Sequence, residues 1–196
     1  MLFIRSVQYG SVLNRLSDWV VSETGVPIDE ALGQFLVSQG HTLAVAESCT
    51  GGALGAALVS RAGASAFFLG GVQCYSNAAK EQLLAVDGAL ISEFGAVSEE
   101  VAVAIAQGAR EKFGADFGVS ITGIAGPDGG SDLKPVGTVY MACEGPLGVM
   151  CVRHQFGRDR TRNLSMSVRA AAQLALKAAR EWAIESKPAS RVADSL

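Results

Sequence analysis

The chain has 196 residues, of which 49% are hydrophobic and 18% charged, and its formal net charge is -3. This length and composition are sufficient to bury the core of one domain. The slightly negative charge and the lack of a long basic run argue against nucleic acid as the main partner, and no apolar stretch is long enough to span a membrane.

Residues 1–27 form an N-terminal extension that is predicted to be partly helical. Arg5 and Gln8 interrupt its apolar start too early for the core of a signal peptide, so we expect a cytoplasmic protein. The apolar residues at roughly helical spacing are Val12, Leu13, Leu16, Trp19 and Val20.

The main domain is predicted to span residues 28–185, and a polar tail at 186–196 is predicted to be disordered. Helices alternate with strands along this domain, and a hairpin near its end requires an antiparallel pair. The pattern therefore predicts an α/β fold, a three-layer α/β/α sandwich around a mixed, mostly parallel sheet of about five strands. The predicted strands lie at 41–46, 71–75, 118–122, 137–143 and 148–156, and the predicted helices at 29–39, 53–62, 99–113, from 77 and from 159.

The turn at 47–52 reads ESCTGG and joins the first of these strands to a helix. Its Ser48 hydroxyl is a candidate nucleophile, and the free backbone N–H groups of Thr50, Gly51 and Gly52 can bind an oxyanion or a phosphate. The other interpretation of the same letters is that Ser48 or Thr50 caps the helix. The turn matches neither a P-loop, which needs a lysine after the glycines, nor the GxSxG elbow.

A nucleophilic serine needs a base, and the two histidines, His41 and His154, lie at the start and in the middle of predicted strands. The segment YSNAAK at 75–80 offers another pair. Tyr75 ends a strand and Lys80 lies about one turn into the next helix, so both can reach the same edge of the sheet. A desolvated lysine can act as a general base and a tyrosine can relay its proton, although the same letters also fit a surface lysine and a strand-end tyrosine.

The loop that follows the strand at 118–122 is long and rich in glycine. Its residues Thr122, Gly123 and Gly126 are candidate substrate contacts, because a glycine backbone can approach a ligand closely. A flexible connection built on Pro-Asp-Gly turn chemistry is the alternative. Arg160, at the start of the last helix, suits a phosphate, although it also fits a solvated charged surface.

No metal site or other cofactor is predicted. The four cysteines form no CxxC pair and the two histidines are far apart in sequence, which argues against zinc.

Five motifs in fixed order resemble the CinA C-terminal family, the competence-damage-inducible proteins that include nicotinamide-nucleotide amidohydrolases. The resemblance covers about residues 29–184. The motifs are AESCTGG at 46–52, YSNAAK at 75–80, GAVS at 95–98, SITGIAGPDGG at 120–130 and KPVGTVY at 134–140.

This resemblance implies an enzyme that converts nicotinamide mononucleotide and water to nicotinate mononucleotide and ammonia in pyridine nucleotide recycling. The family's catalytic serine, tyrosine and lysine fall on Ser48, Tyr75 and Lys80, and Arg160 carries over as a substrate contact. Lys80, with Tyr75 in the relay, is then expected to deprotonate Ser48, which forms an acyl-enzyme. The expected partner is this small-molecule substrate, with no membrane and no nucleic acid.

The chain departs from the family at two places. Many relatives carry a further domain that resembles molybdopterin-binding proteins, and residues 1–27 are too short to form it. Leu164 also stands where the family places a second arginine. The apolar side of the extension could cover a subunit surface or a domain surface, and in the first case the protein would be a homo-oligomer.

Two competing hypotheses remain. Cys49 could be the nucleophile, since a thiol at a helix N-terminus has a lowered pKa. Alternatively, the chain is a non-catalytic nucleotide-binding or regulatory module linked to competence and the response to DNA damage.

Overall fold

A computed structural model of the chain describes residues 4–6, 26–60 and 62–186. The described strands are β1 (Ile4–Ser6), β2 (Leu43–Glu47), β3 (Phe68–Gln73), β4 (Phe117–Gly123), β5 (Thr138–Gly145) and β6 (Gly148–Gln155). The described α-helices are α1 (Ile28–Gln39), α2 (Ala53–Val59), α3 (Asn77–Leu84), α4 (Gly88–Phe94), α5 (Glu99–Phe113) and α6 (Arg160–Glu185), and a short 3₁₀ turn lies at Ala64–Ala66.

The strands form a single mixed sheet in the order β1-β6-β5-β4-β2-β3. β5 is antiparallel to both of its neighbours, whereas the pairs β1–β6, β2–β3 and β2–β4 are parallel. The predicted mixed, mostly parallel sheet is therefore confirmed. Its five strands from β2 to β6 are the predicted ones, and β1 adds a sixth at the edge.

Helices cover both faces of the sheet, as the α/β/α prediction requires. Successive side chains of a strand point to opposite faces, and β2 divides its residues in this way. Leu43 and Val45 pack in a core with α1, α2 and α6, while Ala44 and Ala46 pack in a second core with α3, α4 and α5.

The strand register brings three chain segments together at one edge of the sheet. Glu47 at the end of β2 is opposite Gln73 of β3 on one side and Ile121 of β4 on the other. Ser48, Tyr75 and the loop after β4 therefore all follow strands that end at the same carboxyl edge, which is where parallel α/β sheets bind ligands.

The structure differs from the sequence prediction in three places. α4 lies in a stretch where no helix was expected, because its seven residues are too few to show a helical period. β3 starts and ends earlier than the predicted strand at 71–75. The extension contributes β1, and its predicted helix and the predicted disordered tail lie outside the described residues, except for Ser186, which caps α6.

Candidate active site

The turn that carries Ser48 depends on two glycines with positive φ. Gly51 has a φ of 62° and Gly52 a φ of 100°, values that other residues rarely adopt. A Cβ on Gly52 would also lie 2.5 Å from Nε2 of Gln73. The two glycines therefore let the chain reverse between β2 and α2 while the end of β3 packs against it.

Ser48 and Lys80 are in contact across this turn. Nζ of Lys80 lies 3.2 Å from Oγ of Ser48, and both residues are buried, with Lys80 only 1% exposed. The same amine donates to the backbone carbonyls of Cys74 at 2.8 Å and Tyr75 at 3.2 Å. The contact brings together a hydroxyl and an amine, which is the arrangement that a serine nucleophile and its base require.

Lys80 is held in a setting that favours its neutral form. Burial lowers the pKa of its amine from the ordinary value, because the charged form loses its hydration. A neutral amine has two N–H groups, which the carbonyls of Cys74 and Tyr75 accept, and one lone pair, which is then free for the Ser48 hydroxyl. The three contacts therefore match an amine that accepts a proton from Ser48.

The structure does not place the Tyr75 hydroxyl in a proton relay. Its side chain is 66% exposed, and within the described residues its hydroxyl makes no hydrogen bond to Ser48 or Lys80. Only the Tyr75 carbonyl contacts Lys80. The reason is that β3 ends at Gln73, two residues before Tyr75, so the strand does not hold this side chain over the site.

Two of the three predicted donor amides in the turn have no hydrogen-bond acceptor within the described residues. Gly51 N–H donates to the Ser48 carbonyl at 3.1 Å, so this amide is already used within the turn. No acceptor within the described residues takes the amides of Thr50 and Gly52. The hydroxyl of Thr50 is likewise buried and without a partner in this part of the chain. Of the three predicted donors, Thr50 and Gly52 remain available.

The glycine loop after β4 supplies backbone groups instead of side chains. The Thr122 hydroxyl donates to the carbonyl of Ala96 at 2.7 Å, so this buried side chain holds the α4–α5 connection and is not open to a substrate. Gly123 belongs to β4 and packs closely on Val139 of β5. The carbonyl of Gly126 accepts a hydrogen bond from Arg160, as described below.

Arg160 joins the loop to the Ser48 turn. Its Nη1 donates to the Gly126 carbonyl at 2.8 Å. Its positive charge also acts on the Cys49 thiol, lowering a pKa that burial raises. Arg160 therefore lies near the nucleophilic turn, although it is more than one hundred residues away in sequence.

Cys49 is poorly suited to be the nucleophile. It is 7% exposed, and burial raises the pKa of its thiol to about 11, more than its backbone amide and the charges of Arg160 and Lys80 lower it. The thiolate is the reactive form, and at neutral pH such a thiol holds its proton. The prediction of a lowered pKa at this helix terminus is wrong because desolvation dominates.

Glu47 is a residue of the site that the sequence analysis did not identify. Its buried carboxylate accepts the amides of Leu54 at 3.0 Å and Gly55 at 2.8 Å, both in the first turn of α2. An acidic residue placed a few positions before a helix start is a recognisable signal, since carboxylates favour helix N-termini. The sequence predicts that this end of α2 is open to a substrate anion, whereas the Glu47 carboxylate occupies two of its amides.

The described residues contain no group of three or more His, Cys, Asp or Glu side chains that could bind a metal ion. None of the described helices is both long enough and apolar enough to cross a membrane.

Similarity to known proteins agrees with the motifs. The CinA C-terminal domain family matches residues 25–179. A CinA-like protein of Geotalea uraniireducens is 50% identical over 146 residues, which cover 74% of this chain and 35% of that protein. A CinA-like protein of Citrifermentans bemidjiense is 49% identical over 158 residues, covering 80% and 38%. The chain thus spans about a third of the length of the curated relatives it matches.

Solved structures show the same fold. A competence-damaged protein (CinA) superfamily protein of Klebsiella pneumoniae has a TM-score of 0.76 and 34% identity, covering 79% of this chain and 97% of its own. The competence/damage inducible protein CihA of Agrobacterium tumefaciens has a TM-score of 0.73 and 38% identity, covering 78% and 96%. Sequence, motifs and fold agree, and the chain belongs to the CinA C-terminal domain family.

Proposed function

We propose that this protein hydrolyses the carboxamide of nicotinamide mononucleotide, giving nicotinate mononucleotide and ammonia. The observation that carries the proposal is the buried contact between Lys80 Nζ and Ser48 Oγ at 3.2 Å. Burying an amine disfavours its charged form, so a lysine that is 1% exposed and contacts three oxygens indicates a catalytic role. Membership of the CinA C-terminal domain family supports the choice of substrate.

In the first half of the reaction, Lys80 accepts the Ser48 proton while Ser48 Oγ attacks the carboxamide carbon. The carbonyl oxygen becomes an oxyanion, and the amides of Thr50 and Gly52 are its proposed donors. The intermediate collapses as its C–N bond breaks. Lys80 returns the proton to the leaving nitrogen, which departs as ammonia and leaves the acyl group on Ser48.

In the second half, water hydrolyses the acyl-enzyme. Lys80 takes a proton from the water as its oxygen attacks the ester carbon, and the same two amides bind the second oxyanion. The bond to Ser48 Oγ then breaks, Lys80 returns the proton to Oγ, and nicotinate mononucleotide is released. Each half uses Lys80 first as a base and then as an acid, so Tyr75 is not needed in the proton path.

The phosphoribosyl part of the substrate is proposed to bind toward the glycine loop and α6. Arg160 supplies a positive charge next to the Ser48 turn, and the loop supplies backbone groups. A cavity of about 350 Å³ lies beside the start of α6. It is lined by Phe156, Gly157, Arg158, Asp159, Arg162, Asn163 and Met166.

The proposal is tested by measuring ammonia release from nicotinamide mononucleotide and, separately, from free nicotinamide. We expect turnover of the nucleotide and little turnover of free nicotinamide, because the free base lacks the groups that Arg160 and the loop would bind. Comparable turnover of both compounds would contradict the role given to the loop and Arg160. Binding of the nucleotide without ammonia release would instead favour the non-catalytic binding module.

A further inference from the structure

The carboxylate of Glu47 occupies the amino end of α2. Oε2 accepts the amide of Leu54 at 3.0 Å and Oε1 that of Gly55 at 2.8 Å, and the residue is 1% exposed. The first four N–H groups of a helix have no partner within the helix, so they are the groups that an external anion would bind. Here a side chain of the protein itself already holds two of them.

We infer that Glu47 is a positioning residue that fixes the Ser48 turn on α2 and closes this helix end to the anionic groups of the substrate. The inference rests on the proposed function for the identity of the substrate. It concerns how the nucleophile is held and where the substrate's phosphate does not bind.

Glu47 connects the nucleophile to the base through the backbone as well. Its carbonyl accepts the amide of Cys74 at 2.8 Å, and the carbonyl of Cys74 accepts Lys80 Nζ at 2.8 Å. Glu47 also directly precedes Ser48 in the chain. A shift of Glu47 would therefore move both ends of the 3.2 Å contact between Lys80 and Ser48.

The same geometry separates the binding positions of two anionic groups, the phosphate of the substrate and the oxyanion that forms at Ser48. A phosphate at the start of α2 would compete with the Glu47 carboxylate for the Leu54 and Gly55 amides and would be repelled by its charge. The Ala53 amide is also used, since it donates to the Thr50 carbonyl at 3.1 Å. The free amides of Thr50 and Gly52 lie within the turn itself, where they suit an oxyanion that forms at Ser48.

Two substitutions test this inference. Glu47→Gln keeps the shape but turns an NH₂ group toward one of the two amides, while Glu47→Asp keeps the charge but shortens the reach to α2. We expect each to lower kcat by roughly 10- to 100-fold with KM within about threefold of wild type, since small displacements of reacting groups cost this much. Inhibition by inorganic phosphate should become stronger in Glu47→Gln, which removes the repelling charge and one of the two acceptors at the start of α2.

Asp116→Asn is the matched control. Asp116 also accepts a backbone amide, that of Thr42 at 2.8 Å, but it precedes β4 at the opposite end of the sheet. We expect this variant to lose stability without losing kcat. Melting temperatures are measured for every variant, and activity is compared at the same interval below each melting temperature, so that loss of fold is not mistaken for loss of positioning.

A second readout does not depend on the proposed substrate. The rate at which a fluorophosphonate labels Ser48 reports how well the serine is activated, and we expect it to fall in both Glu47 variants. If wild type is labelled but releases no ammonia, the substrate is wrong while slow labelling of the variants still supports the role of Glu47. Unchanged kcat and labelling in both variants would overturn the inference, as would phosphate inhibition that is no stronger in Glu47→Gln than in wild type.

Discussion

The amine of Lys80 is surrounded by three oxygens that belong to the chain itself. Two are the backbone carbonyls of Cys74 and Tyr75, and the third is the hydroxyl of Ser48. No carboxylate is among these three partners, so the charge of a protonated Lys80 is only partly offset. The result is an amine whose pKa is lowered by burial and whose nitrogen lies 3.2 Å from one hydroxyl.

The pH dependence of the reaction should follow Lys80. Burial lowers its pKa, and only the neutral amine can accept the Ser48 proton, so kcat/KM should rise as pH increases through that lowered pKa and then level off. A pH–rate profile of wild type checks this expectation, and a kcat/KM that does not change with pH through the lowered pKa of Lys80 would contradict it.

Lys80→Met should lower kcat by roughly 100- to 10,000-fold, the usual contribution of a general base.

Tyr75→Phe should be far milder than the loss of Lys80. Only the carbonyl of Tyr75 contacts the amine, and this substitution keeps the carbonyl while removing an exposed hydroxyl. We expect kcat to fall by less than about tenfold, since no proton transfer is assigned to that hydroxyl. Steady-state ammonia release measures the effect. A loss equal to that of Lys80→Met would restore the relay that the sequence suggested.

At the residue scale, the sequence indicated which residue types form the site, but it did not indicate which of their side chains are buried. Ser48 and Lys80 could be paired because each follows a parallel strand, and such strands end at one edge. Tyr75 could not be placed correctly, since β3 ends at Gln73 and a side chain beyond a strand end has no fixed direction. Glu47 was overlooked although an acidic residue shortly before a helix start is a recognisable signal, because the start of α2 was expected to bind a substrate anion and not a carboxylate of the chain itself.

At the scale of elements, α5 and β4 pack with their backbones close together. Gly118 of β4 allows this, because a Cβ there would lie 2.2 Å from the carbonyl oxygen of Ala106 and 2.7 Å from Cβ of Arg110. A side chain at this position must push α5 away from the sheet. α5 is the helix that covers β2 and β4, the two strands that lead into the site.

Gly118→Ala should therefore destabilise the protein by about 1–3 kcal/mol, the usual cost of overpacking. Gly157→Ala is the matched control, because a Cβ there meets nothing within 4 Å and its φ is not in the positive range. Denaturant unfolding of both variants measures the difference. Equal stability of the two would show that α5 can move away from β4 without cost.

The helix boundaries were predictable where capping residues mark them. Ser98 and Asp159 accept amides at the starts of α5 and α6, and Gly40 ends α1 with a positive φ. β3 was harder, because its sequence FLGGVQ mixes glycines with apolar residues and shows no alternation. β1 was missed because three residues are too few to show a period, and its pairing with β6 is a contact between distant parts of the chain.

At the scale of the whole molecule, the two ends of the sheet have different chemistry. The carboxyl end holds Ser48, Lys80 and Glu47. The opposite end holds Glu144 of β5, a buried carboxylate whose Oε2 has no partner within the described residues and whose Oε1 lies 3.8 Å from Arg110. A pH change can therefore alter the stability of the protein through Glu144 at one end of the sheet, and the rate of the reaction through Lys80 at the other end.

Burial raises the pKa of Glu144, and Glu111 adds to this, while Arg110 and Gln107 oppose it. A raised folded-state pKa means that the contribution of Glu144 to stability is complete below its unfolded value and is lost as pH rises through the folded value. Glu144→Gln removes this loss. Relative to wild type, the variant should gain unfolding free energy as pH rises from the ordinary range of a carboxyl group through the raised pKa of Glu144.

Denaturant unfolding of wild type and Glu144→Gln at several pH values measures this gain. The substitution itself changes the unfolding free energy by an amount that does not depend on pH, so only the pH dependence of the difference between the two proteins is interpreted. A difference between the two proteins that stays constant with pH would contradict the raised pKa.

The most direct test of the account is ammonia release from nicotinamide mononucleotide by two neighbouring variants, Ser48→Ala and Cys49→Ala. The account predicts that Ser48→Ala loses activity by at least roughly a thousandfold, because it removes the nucleophile. Cys49→Ala should stay within about threefold of wild type, since a buried thiol with a pKa of about 11 holds its proton. Loss of activity in Cys49→Ala with activity retained in Ser48→Ala would contradict it.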